Sequence, residues 1–546
     1  MPSAHPSIGF QAVILCGPGT GLYPFTSTDD LPKALLPIAN KPMLHYPLEW
    51  CEKAGFDSIL VLTLKEHHAA IQSYIRSHRT FKVQGLYIQA EETSSINDNL
   101  GTADVLRIAF QKGWLNSDFA VIPCDLVTNI EGHRLAELWM VLQAGFDADL
   151  GRRSRKHRTA GDGKDGRRGG LVVCYDTMGE GAVKGQETDL IAVAPIAKPT
   201  TCSSLPEGDV GVLLTRASTQ ALKGVSEIPI RYSMLTKHPN MKLYSTFRDA
   251  GIYFLPHWVL KFLERNPRLS SLREDVLPWL AKSRWQNRRL AEKLGLVDIL
   301  TGSEASTAGD NDSEAAGEEY DVGSISTMRL RRAGDAPMEI PPMLAYLPSA
   351  PSVFMRRVDT THLYLYTSLY LAKSDPSQPS TQIKIDPGST IGEKAVVTGM
   401  DCLVADKVTV GAKAIVKKSV LGYGVTIGKG ARLMGCVLMD GALVEENAKL
   451  EGCTVGRKAI IGSKSVLKDC EIAENYYVEK ESEFTPISQT GNYYSRNAPA
   501  EAKGERFVDF AGLEAASEDD DDDEDGTDGD SVGAAVESDE DEEDGE

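Results

Sequence analysis

The chain lacks the features of a secreted, membrane-anchored or disulfide-stabilised protein. Its first residues contain no charged segment followed by an apolar run, so we expect no signal peptide. No apolar stretch approaches the roughly 18 residues that a membrane-spanning helix needs. The nine cysteines include no Cys-x-x-Cys pair, which is typical of reduced thiols in the cytosol. We therefore expect a cytosolic protein with no membrane partner.

Basic residues are absent from residues 518–546, and this absence accounts for most of the net charge of −20. That segment holds 18 of the 78 acidic residues, which leaves 58 basic against 60 acidic residues in the rest of the chain. Because a run of like charges cannot build a core, we expect residues 491–546 to be a disordered tail, acidic from residue 518.

Basic residues are instead concentrated in residues 151–170, where eight Lys and Arg lie among glycines. Aromatic side chains, on which nucleic-acid bases stack, are not interleaved with them. We interpret this segment as a basic loop insertion and expect no direct contact with nucleic acid.

Short apolar strands alternate with helices over residues 1–295, followed by a linker over residues 296–345 with an acidic, disordered stretch. The predicted strands are Gln11–Cys16, Ser58–Thr63 and Phe119–Pro123, and the predicted helices are Met43–Ala54 and His133–Ala144. Gly145 is expected to end the last of these helices. Alternation of this kind predicts an α/β domain with a Rossmann-like, doubly wound and mostly parallel sheet.

From about residue 380 the pattern changes to short repeats. Apolar residues recur six, six and five positions apart, which gives a 17-residue period. The series is Val404, Val410, Val416, Leu421, Ile427, Leu433, Leu438, Val444, Leu450, Val455, Ile461 and Leu467. This period predicts a three-sided coil over residues 379–490, and it resembles the hexapeptide repeats of left-handed parallel β-helices. Residues 346–378 are expected to be a connecting helical segment.

Small residues repeat with the same 17-residue period. They are Cys402, Ser419, Cys436, Cys453 and Cys470. A stacked metal or redox site is one reading of these cysteines. We interpret them instead as small side chains that fill a tight corner of the coil.

A glycine-rich turn follows the first predicted strand and leads to a Pro-Lys segment. Residues 15–24 read Leu-Cys-Gly-Pro-Gly-Thr-Gly-Leu-Tyr-Pro, and Lys33 lies in the Pro-Lys segment. Consecutive backbone N–H groups in such a turn bind phosphates, although Pro18 has none to offer. No Gly-Lys-Ser/Thr follows, which excludes a Walker-type loop.

This segment resembles the signature of nucleotide-sugar pyrophosphorylases, Gly-Gly-x-Gly-Thr-Arg-Leu-x-Pro. One glycine is missing here, and Gly21 stands where that family has its arginine. Losing one such charged donor lowers a rate by about 10²–10³-fold. The resemblance therefore implies a nucleotidyltransferase-like domain over residues 1–295 with a degenerate nucleotide or phosphate pocket. The implied pocket residues are Gly17, Gly19, Thr20, Gly21, Lys33, Gly101 and Thr102.

The same resemblance bears on a metal site, because these enzymes hold Mg²⁺ with two carboxylates. Asp125 follows a predicted strand in the place of the first, and Asp249 lies at or beside the second. An aspartate at a strand end is commonly a turn or helix cap, so we interpret both as vestigial. We expect no metal, no cofactor and no catalysis. The alternative is an active pyrophosphorylase, such as a mannose-1-phosphate guanylyltransferase, in which Lys33 or a residue of the basic loop replaces the arginine.

A degenerate pyrophosphorylase domain followed by a left-handed β-helix resembles the pyrophosphorylase-like subunits of eukaryotic translation initiation factor 2B. Residues 32–37, 119–126 and 271–280 carry this closer resemblance. It implies a non-catalytic subunit of a guanine nucleotide exchange complex, which helps to position initiation factor 2 for GDP/GTP exchange. The implied partners are the epsilon subunit, the other initiation factor 2B subunits and initiation factor 2. Epsilon performs exchange with a further helical domain, for which we expect no room after residue 490.

Overall fold

The computed structural model describes most of the chain outside the basic loop, the acidic linker and the tail. The predictions for residues 154–167, for residues 302–339 and for most of the tail therefore lie outside the described residues. The described residues are 9–26, 31–77, 87–94, 100–153, 168–178, 182–183, 186–196, 205–219, 230–286, 288–301, 340–350, 352–373, 384–484 and 508–509.

A nine-stranded central sheet and ten helices can be followed through these residues. The sheet strands are β1 (Gln11–Leu15), β2 (Ser58–Leu64), β3 (Tyr87–Ser94), β4 (Phe119–Pro123), β5 (Leu171–Asp176), β6 (Asp189–Ile196), β7 (Gly208–Ser218), β8 (Lys242–Leu255) and β9 (Leu344–Pro348). The helices are α1 (His45–Ala54), α2 (Lys65–Ser77), α3 (Thr102–Gln111), α4 (Gly132–Arg153), α5 (Tyr232–Lys237), α6 (Trp258–Arg265), α7 (Leu277–Trp285), α8 (Arg288–Lys293), α9 (Leu296–Thr301) and α10 (Thr361–Ala372). Within the described part of the chain, none of the helices is long and apolar enough to cross a bilayer.

The strand order of the central sheet is β3-β2-β1-β4-β8-β5-β9-β7-β6. The first four of these strands are mutually parallel, as predicted for a doubly wound domain. Strand β8 runs antiparallel to both β4 and β5, and β7 runs antiparallel to β6 and β9. The expectation of a mostly parallel sheet therefore holds for the first half only. Antiparallel neighbours need no crossover helix, so the second half lacks the alternating pattern that predicts parallel strands.

Strand β9 comes from the far side of the predicted linker. It pairs in parallel with β5 and antiparallel with β7, and all five of its residues are buried. Helix α9 also lies within the residues expected to form that linker. The sheet therefore extends beyond the expected boundary at residue 295, because a fully apolar strand is more stable between two strands than in a linker.

Two apolar layers cover the faces of the central sheet. In one layer Trp139 of α4 packs against Phe10 and Phe254, with ring centroids 4.9 and 5.8 Å apart. The prediction that Gly145 ends this helix is wrong, because α4 continues to Arg153. A glycine inside a helix is only about 1 kcal/mol less favourable than alanine, which the packed first half of α4 can offset.

The C-terminal part is a parallel-strand solenoid of about six turns, built from three six-stranded sheets. The first solenoid sheet contains Thr390–Ile391, Thr409–Val410, Thr426–Ile427, Leu443–Val444, Ile460–Ile461 and Tyr477–Val478. The second contains Val396–Val397, Ile415–Lys417, Arg432–Met434, Lys449–Glu451, Val466–Lys468 and Glu483–Phe484. The third contains Leu403–Val404, Val420–Leu421, Val437–Leu438, Thr454–Val455, Cys470–Ile472 and, antiparallel at its end, Val508–Asp509.

The predicted 17-residue period is confirmed by the strand register. Val404 pairs with Leu421, and each apolar residue of the series stacks in the same way on its counterpart one turn later. The four cysteines of the small-residue series are buried. The thiols of Cys453 and Cys470 donate to backbone carbonyls two residues earlier. Among the described residues no cluster of three or more His, Cys, Asp or Glu side chains is arranged to hold a metal ion.

Helix α10 lies between the sheet domain and the third solenoid sheet. Tyr364 donates a hydrogen bond to the carbonyl of Pro37 at 2.7 Å, and the Asn40 side chain donates to the carbonyl of Leu421 at 2.9 Å. A shared apolar cluster fills this junction. Glu471 faces it beside Thr361 with only 3% of its surface exposed, and burial raises the pKa of its carboxyl to about 7.

Candidate functional site

A cavity of about 530 Å³ lies where the carboxyl ends of β1, β2 and β4 meet. This edge of a parallel sheet is where α/β folds bind ligands, and the volume is within the usual range of about 300–1,000 Å³. Its lining residues are Leu15, Cys16, Gly17, Pro18, Lys33, Leu62, Leu64, Leu100, Thr102, Val105, Val121, Pro123, Cys124, Asp125, Gly251, Tyr253, Ser271, Leu272, Arg273, Glu274 and Arg357.

Asp125 at the base of the cavity is held by two cations. The ammonium of Lys33 lies 2.7 Å from Oδ2 of Asp125. The guanidinium of Arg357 lies 3.2 Å from each carboxylate oxygen, through Nε to Oδ1 and Nη2 to Oδ2. Burial opposes ionisation of this carboxyl, but Arg357 and Lys33 outweigh it and hold the pKa of Asp125 well below its ordinary value. The carboxylate therefore remains charged and paired.

Backbone pairing positions Arg357 over Asp125. The short strand Met355–Arg357 lies antiparallel to Leu126–Thr128, with Arg357 opposite Leu126. The next residue, Val358, donates its N–H to the carbonyl of Asp125 at 2.8 Å. This two-stranded ribbon, formed by Met355–Arg357 and Leu126–Thr128, holds the segment before α10 against the residues that directly follow Asp125.

The same segment closes the space beside the glycine-rich turn. A Cβ atom on Gly21 would lie 2.4 Å from the backbone oxygen of Asp359, closer than real Cβ contacts. Asp359 is itself fixed by an ion pair with the guanidinium of Arg248. Gly19 adopts a φ of +81°, and a Cβ there would lie 2.6 Å from Cβ of Lys33. The position that holds arginine in pyrophosphorylases therefore has no room for a side chain here.

The opposite wall of the cavity joins the start of α3 to the turn before α7. The side-chain hydroxyl of Thr102 accepts a hydrogen bond from the N–H of Leu272 at 2.9 Å. A Cβ on Gly101 would lie 2.0 Å from the carbonyl oxygen of Ser270, so only glycine fits. Residues Leu272–Val276 form a π-helical turn, a feature often found at functional sites. Its Arg273 reaches Asp189 at 2.9 Å.

Asp249 lies outside the cavity lining in a buried ion-pair network. Its Oδ1 accepts from the N–H of Gly251 at 2.7 Å, and its Oδ2 accepts from the hydroxyl of Tyr253 at 2.8 Å. Nε of Arg216 lies 3.4 Å from the same Oδ2, and Nη2 of Arg216 lies 3.0 Å from Oδ1 of Asp189. Asp249 and Arg216 are both inaccessible to solvent, so this carboxylate is a structural element of the sheet.

These contacts do not fit a magnesium site. Mg²⁺ needs free carboxylate oxygens at about 2.0–2.1 Å and tolerates little distortion. Both oxygens of Asp125 face cations, and both oxygens of Asp249 are occupied by hydrogen bonds and Arg216. Neither carboxylate is therefore arranged to hold a magnesium ion at this cavity.

The cavity contains some of the residues that the sequence suggested and omits others. Gly17, Lys33, Thr102 and Asp125 line it. Gly19, Thr20, Gly21, Gly101 and Asp249 do not, although Gly19 and Gly101 border lining residues. Sequence reasoning missed Arg357 and Arg273, which lie far along the chain from the turn. Arg273 lies in the segment 271–280 already singled out, whereas no sequence signal pointed to Arg357.

Comparisons with known families agree with this architecture. A family profile described as Nucleotidyl transferase matches residues 11–145, which contain the glycine-rich turn and Asp125. A profile described as GMPPB C-terminal domain matches residues 398–485, which cover most of the solenoid. The chain therefore has a nucleotidyltransferase domain at its N-terminal end and a β-solenoid at its C-terminal end.

Individual relatives are similar to a larger part of the chain than either profile covers. The protein named translation initiation factor eIF2B subunit gamma of Schizosaccharomyces pombe is 28% identical over 403 residues, or 74% of this chain and 72% of the relative. The chain is similar to eIF2B gamma subunits over most of its length. The eIF2B gamma subunit of Dictyostelium discoideum is 23% identical over 76% of this chain and 87% of the relative. The eIF2B epsilon subunit of the same organism is 32% identical over 103 residues, 19% of this chain and 14% of the relative.

Proposed function

We propose that this chain is a non-catalytic, gamma-type subunit of the eIF2B guanine nucleotide exchange complex in translation initiation. The observation that carries the proposal is the similarity to eIF2B gamma subunits across both the sheet domain and the solenoid. The epsilon subunit of Dictyostelium discoideum is similar to a much smaller part of the chain. In this proposal the chain acts in the cytosol, needs no cofactor and makes no direct contact with nucleic acid.

The geometry of the cavity supports a role without catalysis. Nucleotidyl transfer requires charge stabilisation at the transferring phosphates, which is usually the largest catalytic contribution. The Asp359 carbonyl occupies the space of a side chain at Gly21, and Asp125 is neutralised by Lys33 and Arg357. A site arranged in this way lacks both the family's arginine and a free carboxylate for a metal.

The solenoid supports a role in assembly. Its third sheet is covered by α10, whereas its first and second sheets expose apolar side chains. These exposed residues are Ile391, Val396, Met434 and Tyr477. Repeat proteins commonly use the extended faces of their stacked strands for contacts with other proteins. We propose that these sheets contribute to pairing with an epsilon-type subunit, and that the pair positions initiation factor 2 for exchange.

The test is gentle purification of the native chain, followed by mass spectrometry of what accompanies it and by an assay for nucleotide-sugar synthesis. We expect a larger pyrophosphorylase-like subunit, companion subunits and initiation factor 2, with no nucleotide-sugar synthesis. A homo-oligomer that makes a nucleotide sugar, and loses that activity in Asp125→Ala, would refute the proposal. That result would instead support an active nucleotide-sugar pyrophosphorylase, such as a mannose-1-phosphate guanylyltransferase-like enzyme, which is compatible with the match of residues 11–145 to the Nucleotidyl transferase profile.

A further inference from the structure

We infer that Arg357 takes the place of a divalent cation on Asp125, so that the cavity carries a built-in, non-exchangeable positive charge. This inference concerns the cavity alone and does not depend on which complex the chain joins. The sequence offers Asp125 and Asp249 as the two carboxylates that would bind a metal ion. In the structure, however, other groups of this chain contact both carboxylates.

The contacts of Asp125 leave no oxygen free for a metal ion. Arg357 approaches the carboxylate side-on, with one nitrogen on each oxygen at 3.2 Å, and Lys33 adds a contact of 2.7 Å to Oδ2. Side-on pairing of this kind gives an arginine–carboxylate pair both directional contacts and charge neutralisation. A dication placed on either oxygen would be repelled by two fixed cations within a few ångströms.

The fold holds the backbone of Arg357 beside Asp125. Its strand is hydrogen-bonded to the chain that follows Asp125, through the pairing of Arg357 with Leu126 and through the N–H of Val358. Two residues later, Asp359 is paired with Arg248. The ribbon therefore keeps the guanidinium tethered within reach of Asp125 even when the side chain changes rotamer, whereas a bound metal ion can leave the cavity altogether.

The second carboxylate is also unavailable. Both oxygens of Asp249 are engaged by Gly251, Tyr253 and Arg216, and the side chain is inaccessible to solvent. A metal ion would therefore have neither of the two bridging ligands. The charge beside Asp125 instead remains in the cavity whatever the magnesium concentration.

Iron-directed cleavage of the full-length chain tests this inference. Fe²⁺ occupies carboxylate sites for divalent metals, and with ascorbate and peroxide it cleaves the nearby backbone at positions that mass spectrometry identifies. We expect the 18 carboxylates of residues 518–546 to attract Fe²⁺ as well, so that cleavage within this segment serves as the internal control for delivery of the metal. We expect the wild-type chain to show no cleavage around Asp125.

The decisive variants remove the cations that cover Asp125. We expect Lys33→Met alone to show no cleavage around residue 125, because Arg357 still contacts both carboxylate oxygens. We expect Lys33→Met/Arg357→Met to gain cleavage there, because the freed Asp125 carboxylate can attract Fe²⁺ even though Asp249 stays occupied, and we expect the further substitution Asp125→Asn to abolish it. Arg457→Met is the matched control, because it breaks a 2.8 Å ion pair with Glu474 in the solenoid and leaves the cavity unchanged. Lys33→Met/Arg357→Ala is the second variant, since it removes the same two charges with a smaller side chain at position 357 if the methionine does not fit.

Tryptophan fluorescence establishes that each variant is folded before cleavage. The inference is overturned if the wild-type chain is cleaved around residue 125 and Asp125→Asn abolishes that cleavage. It is equally overturned if Lys33→Met alone gains that cleavage, or if a folded Lys33→Met/Arg357→Met or Lys33→Met/Arg357→Ala variant gains none. Neither result would alter the subunit composition of the purified complex, so the inference and the proposed function fail separately.

Discussion

The close approach of Asp359 to Gly21 predicts that even a single methyl group at this position destabilises the sheet domain. In Gly21→Ala the new Cβ would lie 2.4 Å from a backbone oxygen, so the turn or the segment before α10 must shift. Gly17→Ala is the matched control, because nothing lies within 4 Å of a Cβ at Gly17 in the same turn. The two variants add the same atoms to the same loop and differ in what those atoms meet.

The expected difference between the two variants is large enough to measure. Forcing an extra carbon into a filled space destabilises by about 1–3 kcal/mol. At an unstrained open position the same substitution stabilises by about 0.4–1 kcal/mol, because it restricts the unfolded chain. All six tryptophans lie between residues 50 and 285, so denaturant titrations followed by tryptophan fluorescence report on the sheet domain and not on the solenoid.

Equal free energies of unfolding for Gly17→Ala and Gly21→Ala would refute the close approach of Asp359. Gly21→Arg extends the test to function. Although it restores the residue that pyrophosphorylases have at this position, we expect it to destabilise the domain and to yield no nucleotide-sugar synthesis, because Asp359 occupies the space that the side chain needs. A stable and active Gly21→Arg variant would contradict both the geometry and the proposed lack of catalysis.

Three further predictions concern buried side chains. Burial raises the pKa of Glu471 to about 7 from the ordinary 4.5, so the wild-type chain loses stability relative to Glu471→Gln as pH rises from 4.5 through 7, by up to about 3 kcal/mol. Thermal melts followed by circular dichroism should therefore show a larger difference in melting temperature between the two proteins at pH 8 than at pH 5. Leu433→Ala should destabilise the solenoid by about 2–5 kcal/mol, whereas the exposed neighbour Met434→Ala should not change its denaturation midpoint. Arg216→Met should destabilise the sheet domain by about 3–5 kcal/mol in fluorescence titrations, because Asp189 loses a buried cation; a loss below 1 kcal/mol would contradict this.

The solenoid could be predicted from sequence in register as well as in type. Each turn packs only on its neighbours, so the sequence must repeat the same contacts every 17 residues. The pairing of Val410 with Ile427 is one example of a contact that the spacing alone identified. The first turn departs from the period, because Thr390 pairs with Thr409 after 19 residues.

The second half of the central sheet could not be predicted in the same way. Strand β8 pairs with β4, which lies more than 100 residues earlier, and β9 joins the sheet from beyond the predicted linker. An apolar five-residue segment carries no information about which strands will flank it. The expected domain boundaries beyond residue 295 otherwise remain predictions.

The candidate site, too, could be predicted from the sequence only in part. The resemblance to pyrophosphorylases identified Lys33 in the Pro-Lys segment after the glycine-rich turn, and Asp125 at the end of β4. Local pattern could not identify Arg357, since this residue reaches the cavity through a ribbon with Leu126–Thr128, more than 200 residues earlier in the chain. Only the three-dimensional structure therefore shows that the carboxylate of Asp125 is neutralised.

The position of β9 also has a consequence for synthesis of the chain. Strands β5 and β7 are made long before the strand that separates them, with roughly 90 residues between the end of β8 and the start of β9. At about 5–20 residues per second, a ribosome needs roughly 4–18 seconds to add these residues. During that interval the nascent chain has two apolar strands with unpaired edges, which other chains can join. We therefore expect chaperones to bind the growing chain until Leu344–Pro348 has emerged and closed the gap.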